Sequence, residues 1–264
     1  MSTKILVTGA NGQLGKTIEE LYSDNQNGLD FVFVSKTELD ITKQKALRLF
    51  FNNNDFDYCI NCAAYTNVEQ AEKTPEIAFK VNAYGVKNLA EVCKEKNTVL
   101  IHISTDYVFD GEKEEPYTVE DVPNPINEYG KSKLLGENCI HEILDGYFII
   151  RTSWLYSKVY GKNFYRSILE KAEKEIDLYV TVEQVGCPTD AINLSKYIIQ
   201  IIETENDNFG IHHFCDRISM TWFDFAKQIL QENNIDNKIN LVKVNKYRTF
   251  AMRPKRSILL EKLN

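Results

Sequence analysis

Runs of apolar residues alternate with helix-like segments through the first half of the chain. Five of these runs are nearly continuous in Val, Ile, Leu and Phe, which is typical of parallel strands that helices cover on both faces. They span residues 4–8, 31–35, 58–64, 99–104 and 148–151. The alternation of strand and helix predicts an α/β fold of the Rossmann type, a doubly wound parallel sheet.

After residue 152 this alternation loosens. Helical periodicity predicts helices over 163–174, 191–203 and 222–231, and a short apolar run at 178–181 predicts a strand. No linker rich in Gly, Ser or Pro separates the two parts. We therefore expect a Rossmann domain over residues 1–152 and a smaller lobe, interleaved with the sheet, over residues 153–264.

Composition excludes several classes of protein. With 43% hydrophobic and 26% charged residues, the chain has the composition of an ordinary globular protein. No apolar stretch approaches the roughly 20 residues of a membrane helix, so we expect no membrane partner. A net charge of −7 argues against nucleic-acid binding. Six scattered cysteines suit a reducing compartment, which favours a cytoplasmic location.

No metal site is predicted from the cysteines or histidines. Cys59 and Cys62 have C-x-x-C spacing, but they lie in a predicted strand, where residues three apart point to opposite faces. His102 lies inside an apolar run and is expected in the core. Trp222 has the helical spacing of a packing residue.

A glycine-rich turn follows the first predicted strand and opens a helix. Its glycines have the spacing G-x-x-G-x-x-G, which differs by one residue from the dinucleotide fingerprint G-x-G-x-x-G. Glycines here allow the backbone to approach a pyrophosphate, whose charge lies at the positive end of the helix. Gly9, Gly12, Gln13, Leu14 and Gly15 are therefore candidates for cofactor binding, although such turns also occur for structural reasons alone.

The end of the second predicted strand bears on the choice between NAD and NADP. An acidic residue usually binds the ribose 2′-hydroxyl of NAD at this point, whereas this chain has Ser35 and Lys36. This pair favours tolerance of a 2′-phosphate, so NADPH is the expected cofactor and NADH the alternative. Asp40 and Ile41, just beyond, are candidates to flank the adenine.

A candidate proton-transfer pair follows the fourth predicted strand. Tyr129 and Lys133 are four residues apart, so they share one face of a helix. A phenol has a pKa near 10, and we expect the ammonium of Lys133 and an oxidised nicotinamide to lower the pKa of Tyr129. The hydroxyl of Thr105, at the strand end, is a candidate to bind the same substrate oxygen.

Together these motifs resemble the extended short-chain dehydrogenase/reductase superfamily and, within it, the dTDP-4-dehydrorhamnose reductase family. The resemblance covers nearly the whole chain. Its motifs are residues 11–15, 61–66, 104–111, 151–154, 184–189 and 253–254.

The resemblance implies reduction of the C4 ketone of dTDP-4-dehydro-L-rhamnose to dTDP-L-rhamnose, with a nucleotide sugar as substrate. It implies that Tyr129 donates the proton, that Lys133 holds the nicotinamide ribose and that Thr105 completes the triad. Asp106 and Trp154 are implied to contact the sugar nucleotide. The residues implied to line the cofactor are Gly12, Gln13, Leu14, Asp40, Ile41, Ala63, Ala64, Tyr65 and Ile103.

Several alternatives stay open. Arg253, in a basic cluster with Lys255 and Arg256, is a candidate for the substrate diphosphate, and a solvated tail is the alternative. An epimerase or 4,6-dehydratase on the same fold is a second reading, although Tyr107 stands where a dehydratase is expected to have Glu. A third is a binding partner resembling the regulatory subunit of methionine adenosyltransferase. A homodimer is left open.

Overall fold

A computed structural model describes residues 2–24, 28–245 and 248–261. Its strands are β1 (Thr3–Thr8), β2 (Leu29–Val34), β3 (Tyr58–Asn61), β4 (Val99–Thr105), β5 (Tyr147–Thr152), β6 (Leu155–Tyr156), β7 (Leu178–Thr181), β8 (Val185–Gly186), β9 (Thr189–Asp190), β10 (Gly210–Phe214), β11 (Met220–Thr221) and β12 (Leu241–Val244). Its α-helices are α1 (Gln13–Tyr22), α2 (Gln44–Asn53), α3 (Val68–Lys73), α4 (Pro75–Phe79), α5 (Val86–Lys96), α6 (Glu128–Ile143), α7 (Phe164–Glu173), α8 (Ala191–Glu203) and α9 (Trp222–Glu232). A π-helical turn, Lys80–Gly85, joins α4 to α5.

The central sheet has six strands in the order β10-β5-β4-β3-β1-β2, and every neighbouring pair is parallel. The predicted α/β class and the five predicted strands are confirmed. The sixth strand, β10, was not predicted, because its sequence Gly-Ile-His-His-Phe lacks a continuous apolar run. The order reverses beside β1, and open α/β sheets bind ligands at the carboxyl ends of strands near such a reversal.

The third strand is shorter than predicted and ends at Asn61. The Asn61 side chain accepts hydrogen bonds from the Thr8 hydroxyl and from the backbone N–H of Ala63, which turns the chain away from the sheet. Cys59 packs in the core beneath α2 and α5, whereas Cys62 lies against the core on the opposite side of the sheet. The two cysteines therefore face opposite sides, as expected.

The helices predicted after residue 152 form where the sequence places them, because a polar side chain caps each start. Asn163 accepts from the N–H of Arg166, Asp190 from that of Ile192, and Thr221 forms a capping box with Asp224. Helices α7 and α9 pack against β7 around a separate small core. Strand β10 instead joins the edge of the main sheet, and helix α8 packs against one face of that sheet. Parts of the chain on both sides of residue 152 thus belong to the main sheet layer, and the domain boundary at residue 152 stays a prediction.

No helix in the described part of the chain is long and apolar enough to cross a membrane.

Candidate active site

The three glycines of the turn between β1 and α1 differ in how closely the neighbouring backbone approaches them, and Gly12 is the least crowded. A Cβ on Gly9, which has a φ of +67°, would lie 2.6 Å from the Ala63 nitrogen, and one on Gly15 would lie 2.7 Å from the Ala10 Cα. A Cβ on Gly12 would meet only the Gly9 carbonyl oxygen, at 3.2 Å. Gly12 also begins α1 without a side-chain cap. The first-turn N–H groups of α1 thus suit a pyrophosphate.

Gln13 and Leu14, both predicted to line the cofactor, have different surroundings. Gln13 donates to the Leu155 carbonyl at 3.0 Å and accepts from Asn163 at 3.0 Å, so its side chain ties this turn to the second half of the chain. The Leu14 side chain is buried in the core. Only the backbone of Leu14 is therefore available to a ligand.

A carboxylate stands at the end of β2, although sequence reasoning found none there. The N–H and hydroxyl of Ser35 donate to the Glu38 carboxylate at 2.7 and 2.6 Å, and these bonds lower the pKa of Glu38. Asp40 accepts from the N–H of Thr42, and Ile41 packs in the core. The S-x-x-E spacing of Ser35 and Glu38 was the signal that could have revealed this carboxylate.

The loop after β3 brings Ala63 and Tyr65 to the glycine turn. Gly9 lies directly against Ala63. Asn82, which is fully buried in the π-helical turn, accepts from the N–H of Tyr65 at 2.8 Å and donates to its carbonyl at 3.0 Å. Ala64 is exposed between them. The loop is thus held beside the N-terminus of α1.

Thr105, Asp106 and Tyr129 meet at the carboxyl end of β4. Thr105 donates to the Asp106 carboxylate at 3.1 Å, and Ser257 donates to its other oxygen at 2.5 Å. Burial raises the pKa of Asp106 to about 6, despite these hydrogen bonds. Burial likewise raises the pKa of the Tyr129 phenol, and a hydrogen bond with Thr105 partly opposes this rise. Tyr129 therefore keeps its proton at neutral pH.

Lys133 lies on the same helix face as Tyr129, but its amine has other partners. It donates to the Ile103 carbonyl at 2.6 Å and lies 3.1 Å from His102 Nε2. Burial lowers the pKa of Lys133 to about 8. We expected Lys133 to lower the pKa of Tyr129, and this expectation is wrong for the cofactor-free protein. Burial raises the phenol pKa, and the Lys133 amine donates to the Ile103 carbonyl instead.

Trp154 forms an aromatic wall with Trp222, whose helical spacing predicted a packing role. Its backbone has a φ of +47°, and its indole stacks on that of Trp222 with ring centroids 3.5 Å apart. Gly186 lies directly against the indole, where a Cβ would be 2.6 Å away. No local pattern could have revealed this pair, because the two tryptophans are far apart in sequence.

Arg253 joins this wall to the site of Tyr129. It donates to Glu69 at 2.9 Å, and it contacts Tyr107, whose ring lies 5.7 Å from that of Tyr129. A cavity of about 370 Å³ opens beside Arg253. Its lining includes Lys171, Phe164, Gln184 and Trp222. Lys255 and Arg256, the other members of the predicted basic cluster, are exposed and do not line it.

Comparison with known proteins identifies the family. The model of the RmlD substrate binding domain matches residues 3–263. The chain is 37% identical to a dTDP-4-dehydrorhamnose reductase of Aggregatibacter actinomycetemcomitans over 97% of this chain and 90% of that protein. The chain belongs to the dTDP-4-dehydrorhamnose reductase family. Within it, a dTDP-4-keto-6-deoxy-D-glucose reductase of Streptomyces niveus is 33% identical over 98% of this chain and 89% of that protein.

A solved structure of the same reductase family has the same architecture. It is the dTDP-4-dehydrorhamnose reductase of Bacillus anthracis in complex with NADP, which is 37% identical. The two folds superpose with a TM-score of 0.94 over 99% of this chain and 92% of that chain.

Proposed function

We propose that this protein is an NAD(P)H-dependent dTDP-4-dehydrorhamnose reductase, which reduces the C4 ketone of dTDP-4-dehydro-L-rhamnose to dTDP-L-rhamnose. The observation that carries the proposal is the protonated phenol of Tyr129 beside Thr105, at the sheet edge where the glycine turn opens. Membership of the reductase family supports it. The free cysteines further support the expectation of a cytoplasmic enzyme.

The residues of the site have distinct tasks in this reaction. The Tyr129 hydroxyl binds the sugar carbonyl oxygen and gives it a proton, and the Thr105 hydroxyl, which donates to Asp106 in the ligand-free protein, turns to donate to the same oxygen. A bound nicotinamide cofactor supplies the hydride to the carbonyl carbon. Lys133 orients the nicotinamide ribose and assists Tyr129. Asp106 is buried, and one of its carboxylate oxygens accepts a hydrogen bond from Thr105. We therefore assign Asp106 to positioning the Thr105 hydroxyl.

The cavity beside Arg253 supports a nucleotide sugar as substrate. Trp222 and Phe164 offer aromatic faces to a base, and Arg253 and Lys171 offer positive charge to a diphosphate. Through Tyr107, Arg253 is one side chain away from Tyr129. A ligand whose diphosphate binds at Arg253 would therefore direct its sugar toward Tyr107 and Tyr129.

NADPH is the proposed cofactor. The absence of a side chain at Gly12 and the uncapped start of α1 fit a pyrophosphate, and Lys36 is exposed at the end of β2. The Glu38 carboxylate at the same place, already occupied by Ser35, leaves NADH as the alternative.

A second candidate is reduction of dTDP-4-keto-6-deoxy-D-glucose, as the name of the Streptomyces niveus relative indicates. This sugar differs from dTDP-4-dehydro-L-rhamnose in configuration rather than in the functional group that is reduced. The same Tyr129 and Thr105 can protonate either ketone, so the choice depends on how the sugar meets Trp154.

An assay of cofactor oxidation separates these candidates. NADPH and NADH are each offered with dTDP-4-keto-6-deoxy-D-glucose made by a dehydratase, with and without an added epimerase. Oxidation that requires the epimerase supports dTDP-4-dehydrorhamnose as substrate, and oxidation without it supports the second candidate. No oxidation under either condition, with NADPH binding intact, contradicts the proposal and favours a partner-binding role.

A further inference from the structure

A chain of hydrogen bonds runs through the interior from β1 to Lys133. Thr8 donates to Asn61 Oδ1 at 2.7 Å, and Asn61 Nδ2 lies 2.9 Å from His102 Nδ1. His102 Nε2 lies 3.1 Å from Lys133 Nζ, which donates to the Ile103 carbonyl. The four residues are at most 2% exposed, so bulk solvent does not reach them.

Asn61 fixes the direction of these hydrogen bonds. Its Oδ1 accepts from the backbone N–H of Ala63, and a backbone N–H can only donate. The atom that faces His102 is therefore the NH₂ group of Asn61, which also can only donate. Nδ1 of His102 must accept, so a neutral imidazole carries its proton on Nε2.

The Nε2–H of His102 then points at the amine of Lys133. An ammonium has no lone pair, and two donors that face each other at 3.1 Å repel. We propose that the Thr8–Asn61–His102 chain holds His102 as the Nε2–H tautomer, and that this donor destabilises the ammonium form of Lys133 in the cofactor-free protein. His102 is thereby a positioning residue that shifts the balance between the ammonium and amine forms of Lys133.

The electrostatics of the site support this assignment. Burial, with Lys133 nearby, lowers the pKa of His102 well below its usual range, so the imidazole stays neutral. Burial lowers the pKa of Lys133 to about 8, and Glu137 opposes this effect. The titratable groups that face Lys133 are His102 on β4, Glu137 on α6, whose carboxylate is paired with Arg151, and Cys62 after β3.

The role of Lys133 in returning a proton to Tyr129 rests on the proposed function. Each ketone reduction consumes one proton in addition to the hydride, and Tyr129 must recover the proton that it gives to the substrate. A lysine that titrates near neutral pH can take up and release that proton, whereas one with an ordinary pKa near 10.4 stays charged. The tautomer of His102 does not depend on which sugar is reduced.

The tautomer is measured directly by two-bond ¹H–¹⁵N correlation NMR on the full-length, cofactor-free protein labelled with ¹⁵N-histidine. The chain has four histidines, and loss of one signal set in His102→Gln identifies His102. We expect the Nε2–H pattern from about pH 6 to about pH 8. An Nδ1–H pattern or an imidazolium overturns the proposal. This result stands whether or not the sugar is a substrate, and the wild-type spectrum suffices if the variant fails to fold.

A second experiment follows kcat against pH. His102→Gln lets an amide turn its carbonyl oxygen toward Lys133, which stabilises the ammonium, so the pH at which the rate falls should rise by about one unit. His213→Gln is the matched control. His213 is also a buried strand histidine, but its hydrogen bond goes to the Tyr117 carbonyl, and its variant should leave that pH unchanged. If the pH at which kcat falls is unchanged in His102→Gln, or if it shifts equally in both variants, the proposal is contradicted.

Discussion

The phenol of Tyr129 combines burial with a hydrogen bond to Thr105, and this pairing explains its proposed role as proton donor. Burial raises the phenol pKa, so the proton is present at neutral pH and available to a substrate oxygen. Tyr129→Phe removes the proton but keeps the ring that packs on Tyr107. We expect turnover to fall by about 10²-fold or more, with NADPH affinity nearly unchanged.

Steady-state kinetics and a fluorescence titration of NADPH check this expectation together. Tyr147→Phe is a suitable control, because Tyr147 lies at the amino end of β5, away from the catalytic edge, and bonds only His141 in the described contacts. A Tyr129→Phe enzyme with a near-normal rate would assign the proton to another group.

Asp106 makes the stability of the protein depend on pH in an unusual direction. An unfolded Asp titrates near pH 4, whereas burial raises the pKa of Asp106 to about 6. The folded state thus binds the proton more tightly, so the free energy of unfolding falls as the pH rises from about 4 to about 6. Asp106→Asn should be more stable than wild type at pH 8, by up to about 3 kcal/mol, with the difference closing toward pH 4.

Urea denaturation of both proteins across this pH range measures the difference. Asp110→Asn is an informative comparison, because hydrogen bonds from Asn124 and other neighbours lower the pKa of Asp110. That variant should lose stability at neutral pH and approach wild type in acid. A pH-independent difference for Asp106→Asn would show that its carboxyl group is not strained by burial.

Local spacing predicts some site residues and cannot predict others. The four-residue interval between Tyr129 and Lys133 places both on one helix face from sequence alone. Arg253 and Glu69 are 184 residues apart, and Trp154 and Trp222 also meet only through the tertiary fold. The role of His102 was missed because an apolar strand also suits an ordinary core histidine, and only the donor geometry of Asn61 distinguishes the two.

At the scale of single elements, the glycines at the start of α1 have different roles. The fold requires Gly9 and Gly15, because neighbouring backbone leaves no space for a Cβ there, whereas we expect cofactor binding to require Gly12. Gly12→Ala adds a methyl group 3.2 Å from the Gly9 carbonyl oxygen, a tight contact but a milder one than at Gly9 or Gly15, so the protein should fold with only a small decrease in Tm. The same methyl group obstructs the close approach of a pyrophosphate, and NADPH affinity should fall about tenfold, or about 1.4 kcal/mol.

Gly15→Ala is the matched variant on the same helix. Its methyl group would lie 2.7 Å from the Ala10 Cα, so the backbone must shift and the Tm should fall. Thermal unfolding and NADPH titration of both variants make the comparison. Wild-type NADPH affinity in Gly12→Ala would contradict the placement of the pyrophosphate at this turn.

The central sheet could be predicted in most of its strands because apolar runs and helical periodicity alternate along the chain. Strand β10 escaped prediction, since two histidines interrupt its apolar pattern and both find specific partners, Tyr197 and Tyr117. The short strands β8, β9 and β11 have too few residues to show any period.

At the scale of the whole molecule, the C-terminal segment, residues 255–261, ties the substrate side to the sheet. Its backbone pairs with Val185 and with Tyr117, and Leu259 packs with Phe109 and Cys187. Leu259→Ala should lower the free energy of unfolding by about 2–4 kcal/mol, because it leaves a cavity in this cluster.

Leu260→Ala tests whether burial is the cause. Leu260 is 50% exposed, whereas its neighbour Leu259 is 4% exposed. The Leu260 variant should stay within about 0.5 kcal/mol of wild type in urea denaturation. Equal losses in the two variants would show that the backbone pairing, rather than the buried side chain, carries the contribution of this segment.

In the proposed reaction, a hydride passes from the nicotinamide cofactor to C4 of a dTDP-4-keto-6-deoxysugar. The most direct test supplies NADPH carrying deuterium at both C4 positions of the nicotinamide, together with dTDP-4-dehydro-L-rhamnose, and examines the product by NMR. We expect dTDP-L-rhamnose with deuterium at sugar C4, formed by the wild type and at least about 10²-fold more slowly by Tyr129→Phe. Unlabelled product, or no reduced sugar despite bound NADPH, would contradict the proposed reaction.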